Sequence, residues 1–564
     1  MTAVPIRVAI VHYHLAAGGV TRVIEAATLA LDQAGIRHAV LTGETVEGLG
    51  YLTSPGTLTG EQLAGNLRNA AAERLGAAPD VWHFHNHSLG KNGLLPAVIS
   101  LFAAAGECLV LQLHDLAEQG RAADYRLIAD HPEIYPFAPR VHYAFLNSRD
   151  LGIFAQAGLS LSHASVLSNP IAASSVISTP AAFPILFAPI RGIRRKNLGE
   201  LAFLAALAPA GSYFAVSRAP ENPTARPIHD TWQKFAKKHR LPIEFDVVDR
   251  FSPVAGASAS FESWLSHSTH IVTTSVSEGF GLPWLEAAAL GKPLLGRNLA
   301  HLAADHARHG ICAGDLYDRL LIPLDWVDLS LLRDHLVTDL ERNFRAYRRP
   351  LTQEILAATL EALVHEGWLD FGNLSEPLQQ GVIERLADPA DRQIPLAQCG
   401  SETLPVEAWL AAAVAQCTPT ATASQLAPYS LAVYQTSLTA LYSQLVEQPI
   451  KTVHHLDAEK ILSAYLTPAS FHFLLSALPI TAVEGKFRAV IFDIYGTLLD
   501  AAVGGVKPDL LADPLLRQIL REHGHSPPFS PSSELHAAVL RHHAAAEVPF
   551  PEIEIGRASC RERV

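Results

Sequence analysis

One rhythm, sounded twice, constrains this chain more than any other feature: short apolar runs alternating with helical patterns. "RVAIVHYH", "HAVLTG", "DVWHFHNH", "CLVLQLHD" and "HYAFLNS" read as strands, rich in β-branched and aromatic residues. Several are apolar throughout, as strands covered on both faces of a parallel sheet must be. "VTRVIEAATLALDQAG" is apolar along one helical face, and Gly35 is a suitable stop because it tolerates the left-handed turn that ends a helix. Repeated strand–helix–strand units give a doubly wound parallel sheet. The rhythm breaks at "SNPIAASSVISTPAAFP", a linker by composition, and restarts with "PILFAPIRG", "SYFAVSRAP", "IEFDVVD", "HIVTTS" and "KPLLGRN". Two such units in series face each other across a cleft, with ligands at the carboxyl ends of their strands.

From about Asp315 to Leu478 no strand is expected. "YSLAVYQTSLTALYSQLV" and "AEKILSAYLTPASFHFLLSAL" read as helices beyond the joint "CTPTATASQLAP". "FRAVIFDIYGTLLD" then opens a new α/β unit. The expected division is 1–172 and 180–400 for two Rossmann-like domains, 401–485 for a helical connector, 486–553 for a further fragment and 554–564 for a tail.

Composition narrows the function. Hydrophobic content of 49% with 17% charged residues suits a chain with real cores. A net charge of -12 argues against nucleic acid as a partner and gives membrane contact no support. The five cysteines are scattered without a CxxC pair, which disfavours a disulfide framework or a zinc site and fits a cytoplasmic protein. The start carries no signal-peptide pattern, and no apolar run reaches the roughly 18 residues of a membrane span.

Chemistry concentrates at strand ends. In "SVSEGFGLPWLEAAALGKP", Glu278 lies in a glycine-bearing turn and Glu286 follows in an apolar helix, with seven residues between them. Gly279 and Gly281 let backbone approach a ligand closely, and the helix that opens near Pro283 turns free N–H groups toward it. An ionised carboxylate only accepts hydrogen bonds, so both glutamates suit a hydroxyl-rich ligand. In "APIRGIRRKNLGE", Arg191 and Lys196 are five apart, and Arg194 and Arg195 leave the register of the cations open. Gly18 and Gly19 stand between the first strand and its helix, where backbone N–H groups can face a phosphate. The spacing is not the three-glycine dinucleotide fingerprint. Strand-end histidines fall at His83, His85, His87 and His114; the first three alternate along the chain, but no cysteine or further carboxylate completes a metal site.

To about residue 400 these motifs resemble the retaining glycosyltransferases of GT-B architecture and family 4 type. The resemblance implies that Arg191 and Lys196 bind the donor diphosphate and that Glu286 holds the ribose. Glu278 and His114 would face the transferred sugar, the turn residues Gly279, Phe280, Gly281 and Leu282 would line the donor, and Gly18 and Gly19 would approach it from the acceptor side. "VLSNPI", with Asn169 and Pro170, matches the family's segment before the linker. The partners implied are a nucleotide-sugar donor and an unspecified hydroxyl acceptor, with no cofactor and no metal for transfer.

"FRAVIFDIYGTLLD" is similar to the first motif of haloacid dehalogenase-like (HAD) hydrolases, with Asp493 as nucleophile followed by Gly496 and Thr497. Tyr495 stands where that superfamily's phosphatases carry a second aspartate. Lys507 comes too early for the superfamily's later lysine, so hydrolase activity, and the Mg2+ it would need, are expected only of an intact domain. "EIGRASCRERV" continues no pattern before it, and one back-translation of it matches a common sequencing adapter. It is expected to be an assembly artefact ending a longer natural protein. The leading expectation is a retaining glycosyltransferase with a truncated HAD-like fragment. The alternatives are a bifunctional sugar-phosphate synthase and phosphatase, and a nucleotide-sugar-binding module without turnover.

Overall fold

The computed structural model describes residues 6–16, 18–51, 58–171, 176–222, 225–311, 314–386, 393–416, 424–476, 499–502 and 505–508. β1 (Arg7–Val11), β2 (Arg37–Leu41), β3 (Val81–His85), β4 (Leu109–Leu113), β5 (Val141–Phe145) and β6 (Ala164–Val166) form a parallel sheet in the order β2-β1-β3-β4-β5-β6. β7 (Ile185–Arg191), β8 (Tyr213–Arg218), β9 (Ile243–Phe245), β10 (His270–Thr273), β11 (Leu294–Arg297) and β12 (Asp315–Tyr317) form a second, in the order β9-β8-β7-β10-β11-β12. The expected fold class of two Rossmann-like α/β sheets is therefore what this chain forms. β3 and β4 are buried at every position, as strands covered on both faces are, with His83, His85 and Gln112 the polar residues among them. The sequence reading missed β6 and β12 because both are three-residue edge strands.

Four helices position the site. α1 (Gly19–Gln33) buries Val23, Ile24 and Leu31 against the first sheet, each contributing roughly 1.5–3 kcal/mol. It ends as expected at Gly35, whose φ is +67°. α2 (Leu198–Ala206) follows β7, and α3 (Leu282–Ala289) follows β10. α4 (Leu431–Val446) returns from the second sheet to the first, where Tyr434, Leu438, Leu441 and Tyr442 pack with Val8, Ile10 and Ile24.

Strands do not vanish after Asp315. β13 (Arg319–Pro323), β14 (Val364–His365), β15 (Trp368–Asp370), β16 (Leu396–Cys399) and β17 (Glu402–Pro405) make a five-stranded antiparallel sheet, in the order β14-β15-β13-β16-β17. These strands are too short to show a period, but their turns carried a signal. Glu366 and Gly367 have φ of +50° and +87° and join β14 to β15 as a two-residue hairpin. The expected helix over 458–478 is helical only at Ala458–Tyr465. Pro468 holds Thr467 extended (φ -72°, ψ 150°), and two short 3-10 turns follow.

Residues Leu478–Val564 form a separate compact unit, described only for the hairpin of Leu499–Ala502 with Gly505–Pro508. Asp493, Tyr495 and the tail from Glu554 lie outside the described residues. Among the described residues no helix is long and apolar enough to cross a membrane.

Candidate functional site

In the second sheet the strand order reverses between β7 and β10, the position at which parallel sheets open a crevice for ligands. The basic loop leaves one of these neighbours and the glutamate turn leaves the other. Backbone and side chain stitch them together: Val276 N–H donates to Arg195 O at 3.0 Å, and Thr274 Oγ1 donates to Lys196 O at 2.8 Å. Lys196 Nζ therefore ion-pairs with Glu278 Oε1, while Arg195 Nη1 lies 3.0 Å from Oε2 and 2.5 Å from Ser277 O. Glu278 is only 8% exposed. Burial pushes its pKa up, but Lys196 and Arg195 together outweigh burial and bring it down to about 2. Burial also lowers the Lys196 pKa, against the pull of Glu278. Two cations meet one carboxylate, so the cluster keeps an excess of positive charge.

The other basic residues go elsewhere. Arg191 ends β7 and lies 3.7 Å from Glu221. Arg194 forks onto Glu376 at 2.6 and 2.9 Å and donates to Ser476 O at 2.8 Å, anchoring the loop.

The glutamate turn touches the first sheet. A Cβ on Gly279 would lie 2.7 Å from His114 O, so only glycine fits that approach. Asn147 Nδ2 donates to Gly279 O at 2.9 Å, and Gln119 Nε2 donates to Ser277 Oγ at 3.2 Å. Gly281 caps α3 with φ of +77°, where any side chain would strain the backbone. Phe280 is buried, its carbonyl 3.1 Å from His306 Nε2, while His306 Nδ1 shares a hydrogen bond of 2.8 Å with the Tyr429 hydroxyl. Leu282 begins α3 half-buried.

Glu286 is the one charged residue of α3, half-buried among Trp284, Leu285 and Ala287. Burial raises its pKa to about 7, against the pull of Arg22 on α1 and of Lys196. Arg22 lies on the helix that follows the glycine loop of the first sheet, and its backbone N–H donates to Gly18 O at 3.2 Å. Neither glycine there is demanded by packing: Gly18 is fully extended, and a Cβ on Gly19 would meet nothing within 4 Å. α1 begins without a side-chain cap hydrogen bond.

His114 closes the site from β4. Its N–H donates to Asn86 Oδ1 at 2.7 Å, and its Nε2 shares a 2.8 Å hydrogen bond with His85 Nδ1. Burial holds His114 neutral, with its pKa lowered to about 3, and lowers His85 as well. His85 Nε2 is buried with no partner among the described residues. An orphaned lone pair is tolerated better than an orphaned N–H, so His85 carries its proton on Nδ1 and donates to His114. His114 then keeps its own proton on Nδ1 as a neutral donor. His83 is engaged by Tyr442 and Gln112, and His87 by Ile134 O. Among the described residues no group of three or more His, Cys, Asp or Glu is placed to hold a metal ion.

The structure thus gathers Lys196, Glu278, Gly279, Phe280, Gly281 and His114 around one turn, with Glu286 on the helix that follows it and Gly18 and Gly19 at the start of α1. It leaves Arg191 on Glu221, and Asp493 lies outside the described residues. Arg195 and His85 are the additions. Arg195 was visible in "RGIRRK" only as one of several candidate cations, and the "HFH" alternation was the signal for His85.

No family model and no curated protein matches this chain. Among solved structures, sucrose-phosphate synthase from Thermosynechococcus elongatus is similar at 14% identity and a TM-score of 0.46, covering 78% of this chain and 99% of that one. The Arabidopsis thaliana starch synthase IV catalytic domain, bound to ADP and acarbose, gives 11% identity, a TM-score of 0.41 and coverage of 79% and 100%. Anabaena HepE in complex with UDP-glucose gives 16% identity, a TM-score of 0.38 and coverage of 54% and 84%.

Proposed function

We propose that this chain is a glycosyltransferase that moves a sugar from a nucleotide-sugar donor to a hydroxyl acceptor with retention of anomeric configuration. The observation that carries the reading is the meeting of Lys196, Arg195 and Glu278 at the strand reversal, under His114 of the opposite sheet.

Breaking the bond between sugar and nucleotide diphosphate builds negative charge on the leaving group. Arg195 and Lys196, held by Glu278 and in excess over it, stabilise that charge more in the transition state than in the ground state. Glu286 accepts hydrogen bonds from the ribose hydroxyls once ionised, and the free N–H groups opening α1 and α3 face the phosphates. His114 donates a neutral hydrogen bond to the sugar. Glu278 is a poor nucleophile: a carboxylate held by two cations, with its pKa near 2, has little basicity to spend. The acceptor hydroxyl therefore attacks on the leaving-group face and passes its proton to a phosphate oxygen. Retention follows from attack on that face. The side-chain cations supply the charge a divalent metal would bring, so EDTA should leave the rate unchanged.

The test is release of nucleoside diphosphate by the full chain from UDP-, ADP- and GDP-sugars, with the anomeric configuration of product read by NMR. Inverted product would overturn retention, and no release from any donor would overturn transfer.

A further inference from the structure

We propose that the acceptor is a saccharide, one ring of which stacks on Tyr51 beside His14 at the carboxyl edge of the first sheet. The proposal rests on the donor-site reading above and names the substrate on its other side.

Tyr51 follows β2 and is 55% exposed. Its ring stands 5.6 Å from Tyr13 and 5.2 Å from His14, two residues that leave the end of β1. The platform is wired to the donor site by two hydrogen bonds. Tyr13 OH donates to Asn86 O at 2.8 Å, and Asn86 Oδ1 receives the His114 N–H at 2.7 Å. Two part-exposed ion pairs, Lys91–Asp124 and Arg121–Asp115, close at 2.7 Å each on the same sheet. The Asp124 charge is felt by both the Tyr13 and Tyr51 phenols, and Asp115 is felt by Tyr13 and feels Arg195 across the cleft.

An exposed aromatic face beside fixed donors and acceptors suits a sugar ring. The apolar C–H face of a pyranose lies on the aromatic ring, and its equatorial hydroxyls reach outward to carboxylates and cations. An alkyl chain in the same place would desolvate Lys91, Asp124, Arg121 and Asp115 without replacing their hydrogen bonds. Leu15, 41% exposed, is too small an apolar surface to seat a lipid. A saccharide is therefore favoured over a lipid alcohol.

Two readouts on the full chain test this. Saturation-transfer NMR with free glucose, galactose, mannose, fructose, maltose and sucrose should show contact with at least one sugar. The signal should be lost in Tyr51→Ala and kept in Tyr51→Phe. In turnover, Tyr51→Ala should raise the saccharide KM by about 10-fold, of the order an aromatic face contributes, with acceptor-independent donor hydrolysis unchanged. Normal donor hydrolysis with no sugar contact, an unchanged KM in Tyr51→Ala, or preferred transfer to dodecanol or lipid vesicles would each overturn the proposal. Sugar contact that depends on Tyr51 but no donor hydrolysis in any variant would uphold the platform and sink the donor-site reading instead.

Discussion

The two walls of the cleft bury polar groups by opposite means. In the second sheet Glu278 stays charged by pairing, brought down to about 2 between Lys196 and Arg195. In the first sheet the buried histidines lose their charge, with His114 lowered to about 3 and joined to His85 as a neutral pair. Both solutions satisfy the rule that an unpaired charge does not survive burial. Under the proposed function this difference would divide the labour: Lys196 and Arg195 would meet the charge of a leaving diphosphate, and His114 would offer a fixed neutral hydrogen bond.

The largest expected effect breaks the charged wall. Arg195→Ala should lower kcat/KM by about 100-fold, the order expected for one charged transition-state contact, and Arg191→Ala by less than about 3-fold. Steady-state kinetics on both variants decide it, and a larger loss in Arg191→Ala would return the phosphate cation to the strand end.

Next is stability. Lys196→Met leaves Glu278 buried with only Arg195, and should cost about 3 kcal/mol in urea unfolding. Glu278→Gln sharpens the sign. The folded pKa lies near 2 against an ordinary value of 4.5, so the contribution of Glu278 is present above 4.5 and is lost as pH falls toward 2. The stability gap between wild type and Glu278→Gln should persist at neutral pH and shrink on acidification through that window. A gap that widened on acidification would contradict the assignment.

A third effect separates the walls by pH. Glu286 is raised to about 7, so it is largely protonated at pH 6 and ionised at pH 8. Donor affinity should rise about 10-fold across that interval in calorimetry, and Glu286→Gln should flatten the profile. The neutral wall should add no titration of its own between pH 5 and 9. The smallest effect is His85→Phe, which removes one neutral hydrogen bond. It should weaken donor binding about 5-fold without moving the pH profile, and a new titration near pH 6 would show that His85 had been holding His114 neutral by charge.

Much of this was legible because buried parallel strands announce themselves. β3 and β4 are rich in apolar and aromatic residues since both faces are covered, and the turns after β7 and β10 carried their chemistry in plain sequence. The antiparallel sheet beyond Asp315 was not legible, because strands of two to five residues have no period and only their two-residue turns, at Glu366-Gly367 and at Gly400-Ser401, carried a signal. Within the site, charge alone could not choose among four cations in "RGIRRK". The choice depends on where the loop is pinned, by Arg194 on Glu376 and by Arg195 O on Val276 N–H. The pairing of His85 with His114 joins neighbouring strands, which no local pattern reveals.

If Lys196 and Glu286 belong to one nucleotide-sugar site, donor turnover needs both. The most direct test is nucleoside diphosphate release from a panel of nucleotide sugars by wild type, Lys196→Ala and Glu286→Ala. Wild type should release nucleoside diphosphate from at least one donor, with a loss of about 10-fold or more in each variant; near-normal rates in both variants would contradict a shared site.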